Sequence, residues 1–187
     1  MKAKIFTLVI LFASLGFIAC EGPAGPPGPP GFDGINGADG ADGATALSQV
    51  LEIEVDFNAA NDYATLYEFP NTVEVFEADL VLVYLLWETI DGSDGEPVDV
   101  WRLLPQTRIL DQGLLQYNYD HTFLDVNLFL EADFDLGTLP DGDTQDQVFR
   151  IAIVPGEFAQ SGKMDRSNLA EVMKKIGVTE ETVTRLR

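Results

Sequence analysis

The sequence predicts a mainly β fold, an antiparallel β-sandwich of about seven strands with a C-terminal helical segment. Three observations point there. Short apolar runs, most alternating with polar residues, recur across residues 46–162 and are separated by turn residues. One run, Leu80–Trp87, is apolar at all eight positions and so asks for burial on both faces. After residue 163 the period changes, because Leu169, Val172, Met173 and Ile176 fall at i, i+3, i+4 and i+7.

Taken in order, Leu51, Ile53, Val55 and Phe57 alternate with Glu52, Glu54 and Asp56, the pattern of a half-buried strand. Asn58 to Asp62 is turn chemistry, and Tyr63 to Phe69 reads as the next strand, closed by Pro70-Asn71. Leu80–Trp87 follows, then a loop from Asp91 to Pro97 and a strand near Asp99–Leu104. Further strands read at Leu114–His121, Phe123–Ala132 and Gln147–Val154, the last ended by Pro155-Gly156. The helix carrying Leu169 to Ile176 should stop at Gly177. Thr179, with Glu180 and Glu181 behind it, predicts an N-cap and a short final helix carrying Val183 and Leu186. The helical stripe is the one candidate to cover the outer side of Leu80–Trp87, and it is expected to dock there.

Charge divides along the same line. The 187 residues carry a net charge of −20. Residues 46–162 hold 23 acids against Arg102, Arg108 and Arg150, whereas residues 163–187 hold six bases and four acids. A body this acidic repels phosphate backbones, which excludes nucleic acid as a partner and disfavours anionic lipid surfaces.

The leader is of another kind. Lys2 and Lys4 precede an apolar-to-small run from Ile5 to Ala19, which at about 1.5 Å per residue is too short for a bilayer core of about 30 Å. Residues 1–19 therefore read as a signal peptide. From Gly22 to Gly43 eight glycines then fall at a strict period of three, with Pro crowding the first triplets. This is the triplet pattern of collagen, whose crowded axis admits only Gly.

Phe17-Ile18-Ala19-Cys20 resembles the lipobox of bacterial lipoproteins, and residues 20–45 resemble the stalks of bacterial collagen-like lipoproteins. The resemblance implies cleavage before Cys20 and lipidation of its thiol. It further implies a bacterial cell-envelope location, lipid-anchored, on the outer membrane. With one cysteine there is no internal disulfide. Two readings of the stalk stand side by side. Asp33, Asp39 and Asp42 have no basic partner in the triplets, and in a homotrimer their charges would repel along one rod, which favours a monomer on an extended spacer. As polyproline II the 24 residues would reach roughly 74 Å, and as a Gly-rich coil roughly 27 Å. The alternative is a triple helix through the same triplets.

The residue inventory limits the chemistry. His121 is the single histidine, and Ser48, Ser93, Ser161 and Ser167 all lie outside a Gly-x-Ser-x-Gly elbow, so no catalytic residue is assigned. One histidine without a spare thiol does not make the usual zinc sites. Oxygen ligands for calcium occur in two loops: Asp91, Asp94, Glu96 and Asp99 in one, Asp141, Asp143 and Asp146 in the other. Neither has Gly at the sixth position, and Asp and Gly are also what turns require. Aromatic residues such as Tyr63, Trp87, Trp101 and Tyr117 serve equally as core or as a sugar platform. Two function classes follow. The first is a non-enzymatic lipoprotein displaying an acidic sandwich to a protein or glycan partner. The second is a carbohydrate-binding or glycoside-hydrolysing domain, with or without calcium.

Overall fold

The structure, a computed structural model, describes residues 48–159 and 164–186. The signal peptide, Cys20 and the Gly-x-y triplets lie outside those residues. The described chain is a mainly β sandwich with a small helical segment. Its elements are β1 (Gln49–Val55), β2 (Ala64–Glu68), β3 (Leu80–Asp91), β4 (Pro97–Leu103), β5 (Gln106–Leu110), β6 (Gly113–His121), β7 (Asp125–Ala132) and β8 (Gln147–Val154). They are followed by α1 (Gly156–Ala159), α2 (Leu169–Ile176) and β9 (Thr184–Leu186). No helix among the described residues is long and apolar enough to cross a membrane.

Nine strands replace the expected seven. Sheet A has the order β4-β3-β8-β1-β9 and sheet B the order β2-β7-β6-β5. All pairings are antiparallel except β1 with β9, which run parallel with Leu51 opposite Thr184. The expected final helix is therefore a correction. Glu180–Thr182 forms one 3-10 turn, and Thr184–Leu186 continues as an edge strand with Val183 buried beneath it. The capping pattern at Thr179 is real, for the Thr182 hydroxyl accepts the Thr179 N–H at 3.0 Å. The turn stops after three residues because pairing with β1 takes over.

Alternation explains both layers. On β3, Val81, Val83 and Leu85 face sheet B, while Leu82 and Tyr84 face outwards. On β8, Phe149, Ile151 and Ile153 face inwards, while Ala152 and Val154 face outwards. The inner core joins them to Leu51 and Ile53 from β1 and to Leu115, Tyr117, Val126 and Leu128 from sheet B. Phe57 sits edge-on to Tyr117 and Phe149, with ring centroids 6.5 and 6.1 Å away.

The outer side of sheet A is a second core. Leu169, Val172, Met173 and Ile176 of α2 pack with Val50, Leu82, Tyr84, Ala152 and Val154. The helix starts at Asn168, whose side chain accepts the Glu171 N–H, and ends at Gly177, which adopts the left-handed φ of 74° that glycine tolerates best. The Tyr84 hydroxyl reaches out of the sheet to donate to the Arg166 carbonyl at 2.6 Å.

Candidate functional site

The first calcium candidate loop is the tip of the β3–β4 hairpin. Asp91, Asp94, Glu96 and Asp99 are all exposed there. The Gly92 N–H donates to the Glu96 carbonyl, an Asp94 carboxylate oxygen accepts the Glu96 N–H at 3.2 Å, and Asp99 accepts the Thr89 hydroxyl at 2.8 Å. In the second loop Asp141 opens a 3-10 turn and its carbonyl accepts the Thr144 and Gln145 N–H groups. Asp143 is buried against Arg108, whose Nη1 donates to it at 2.7 Å. Asp146 takes a left-handed φ of 52°, and its N–H donates to Asp56. These carboxylates shape turns, and the structure does not bring them together. Among the described residues no group of three or more His, Cys, Asp or Glu converges as a metal cluster.

His121 ends β6 in an exposed position, stacked on Tyr119, with Nδ1 3.4 Å from the Thr122 carbonyl. Ser167 donates to Asp165, whose carboxyl is held below the usual range by that hydroxyl and by the Ser167 N–H.

Two arrangements emerge that the sequence did not announce. The first lies where the two sheets open between edge strands β4 and β5. Trp101 and Leu103 pack with the outer core, so Arg102 between them points to the inner side. Arg108 stands opposite Leu115, a core residue, and shares its side. The register of β3 against β4 shifts between Leu86 and Glu88, which leaves Trp87 as the bulged residue. Both guanidiniums lie over its indole, Arg102 at 4.0 Å and Arg108 at 4.5 Å from the ring centroid. Tyr117, whose hydroxyl donates to the Asp143 carbonyl at 2.8 Å, completes the inner wall. Beside Trp87 a shallow, open depression of about 500 Å³ runs along β5.

The second arrangement seals the covered face. Arg150, 3% exposed, stacks on Trp101 at 4.2 Å, donates through Nε to Glu52 at 2.9 Å and holds both oxygens of Glu180 at 2.7 Å. Burial alone would lower the Arg150 pKa, but the hydrogen bonds to Glu180 and Glu52 outweigh it and raise the value. Arg185 of β9 also donates to Glu52, at 3.1 Å. This network ties the C-terminal segment to β1 and β8.

The outer side of sheet B is built differently. Strand alternation places Leu66, Asn127, Phe129, Glu131, Gln116 and Asn118 on it, with Thr107 and Ile109 on β5. Asn118 donates to both Gln116 and Glu131, and Gln116 donates to Thr107, a polar row across three strands with its two amides on β6. Leu66, Leu114 and Ile109 stay exposed at its corners. Comparison with protein-family models, curated proteins and solved structures finds no match to the chain.

Proposed function

We propose that this chain is a bacterial envelope lipoprotein, held by lipid on Cys20 in the outer membrane, that displays its acidic sandwich as a non-catalytic interaction module. The observation that carries this reading is the outer face of sheet B, four strands wide and uncovered among the described residues, opposite a sheet A face that α2 covers. A sheet face with hydrogen-bonding amides and isolated apolar side chains suits a protein or glycan partner. The leader and the Gly-x-y spacer of residues 20–45 suit presentation clear of lipid headgroups. The protein acts as a monomer on this spacer; trimerisation through the triplets is the competing arrangement.

The test replaces the one lipidation site. The Cys20→Ser chain is expected in the soluble fraction, and the parent chain in membranes after a salt wash. A Cys20→Ser chain that still pellets sinks the anchor. The polar row also favours a second reading, in which the open face binds neutral carbohydrate. A glycan-array signal lost on Asn118→Ala supports it, and turnover of any glycoside substrate ends the non-catalytic reading.

A further inference from the structure

We propose that the mouth between β4 and β5 binds a small monocarboxylate carried on an apolar body. The inner side of a sandwich strand ordinarily takes apolar side chains. Here three inner positions at one lateral opening hold Trp87, Arg102 and Arg108. The arginines of the sandwich differ in their counter-ions. Arg150 has two, Glu52 and Glu180. Arg108 has one, Asp143. Arg102 has none within ion-pair distance among the described residues, although the chain carries 31 acids against 11 bases. It is half-buried and stacked on Trp87, so it is positioned without being neutralised.

Two guanidiniums stand against Asp143 beside the indole, and Glu88 at the rim offsets the remaining positive charge from the solvent side. A half-desolvated guanidinium gains most from an anion that takes its fork in a bidentate pair, which is carboxylate geometry. Arg108 has Nη1 on Asp143, and its Nε is buried with no hydrogen-bond partner among the described residues, so Arg102 is the guanidinium left to take the ligand's carboxylate. The adjoining depression is lined by Trp87, Glu88, Thr107, Arg108, Ile109 and Leu110. Ile109 is 86% exposed and offers apolar surface to the body of the ligand. Glu88 at the rim opposes any anion and a dianion about twice as strongly, which favours a monoanion over a dianion. This inference does not depend on the lipid anchor.

The test titrates the full chain with hexanoate, hexanamide and inorganic phosphate, following the indole N–H resonance of Trp87, assigned by its loss in Trp87→Phe. Hexanoate is expected to shift it saturably with a Kd of about 1 mM, a modest affinity for one charged contact and a short tail. Hexanamide and phosphate are expected to bind at least about tenfold more weakly. Arg102→Gln should cost about tenfold, Arg102→Lys less, and Glu88→Gln should tighten binding. Inward charges on edge strands also serve to prevent sheet-to-sheet association. If Arg102→Gln self-associates while hexanoate binding is unchanged, or if hexanamide binds as well as hexanoate, the proposal is overturned. Absence of a saturable shift in the parent chain overturns it as well. Circular dichroism of each variant separates a lost site from a lost fold.

Discussion

The two outer faces of this sandwich are made by the same alternation and end differently. On sheet A the outward positions Val50, Leu82, Tyr84, Ala152 and Val154 are apolar, and α2 lies on them. On sheet B the outward positions Gln116, Asn118 and Glu131 are polar and hydrogen-bond to one another. An antiparallel sheet needs one apolar face for its core and leaves the other free. Sheet A is apolar on its inner face and over most of its outer one, so it demands a third layer, and residues 164–186 supply it. The outer face of sheet B is therefore where substitutions are tolerated, while the covered face holds the fold.

The largest effect should come from removing that layer. Deleting residues 164–187 withdraws Leu169, Val172, Met173, Ile176, Val178 and Val183 from the outer core. At about 1.5–3 kcal/mol for each of the six buried side chains the loss is about 9–18 kcal/mol, as large as a typical net stability of about 5–15 kcal/mol. Size-exclusion chromatography should show aggregate in place of monomer, and a soluble, equally stable truncation would break the comparison. Matched point variants sharpen it. Ile176→Ala should destabilise by about 2–5 kcal/mol in urea unfolding, whereas Leu114→Ala on the open face should stay within about 0.5 kcal/mol.

The ionic seal should weigh less than the apolar one. Glu180→Ala leaves Arg150 with Glu52 alone, a loss of about 1–3 kcal/mol for charged hydrogen bonds at a buried guanidinium. A change below about 0.3 kcal/mol would mean that water replaces Glu180 without cost. The gentlest probe is alkali. Burial pushes the Tyr84 and Tyr117 phenols well above their ordinary 10.0; nearby Tyr119 adds to the rise at Tyr84, while Arg108 opposes it at Tyr117. Between the unfolded and folded values the native state keeps a proton that the unfolded chain has lost. Stability from these groups is thus whole below pH 10 and falls as pH rises toward the folded values, by about 1.4 kcal/mol per pH unit for each tyrosine. Tyr84→Phe should flatten the slope by about one proton, which assigns that share to the covered face.

How much of this was legible in the sequence depended on whether the signal was local. The stripe Leu169, Val172, Met173 and Ile176 with Gly177 behind it is complete within nine residues, and the eight apolar positions of Leu80–Trp87 are contiguous. Strand β5 hides because Gln106-Thr-Arg-Ile-Leu110 points Arg108 inward where alternation expects an apolar side chain. Strand β9 hides because its three residues are held by pairing with Leu51–Ile53, while Thr179 and the two glutamates beside it carry a helix-start pattern. The Trp87 mouth was illegible for a related reason. Its members come from β3, β4, β5 and the turn before β8, and a bulge sets the indole's direction. The sequence carries one clue, since Arg102 and Arg108 are two of three bases among 23 acids in residues 46–162.

The pairing of β9 with β1 also fixes an order of events. Arg185 meets Glu52 across 133 positions, so this edge of sheet A closes only after nearly the whole domain exists. Loop closure over such a span is paid before its contacts return anything, and long-range pairing of this kind is slow. Residues 164–186 are made after every other strand of the sheet they cover. Until they arrive, Leu82, Tyr84, Ala152 and Val154 form an uncovered apolar strip, the surface a holdase would recognise.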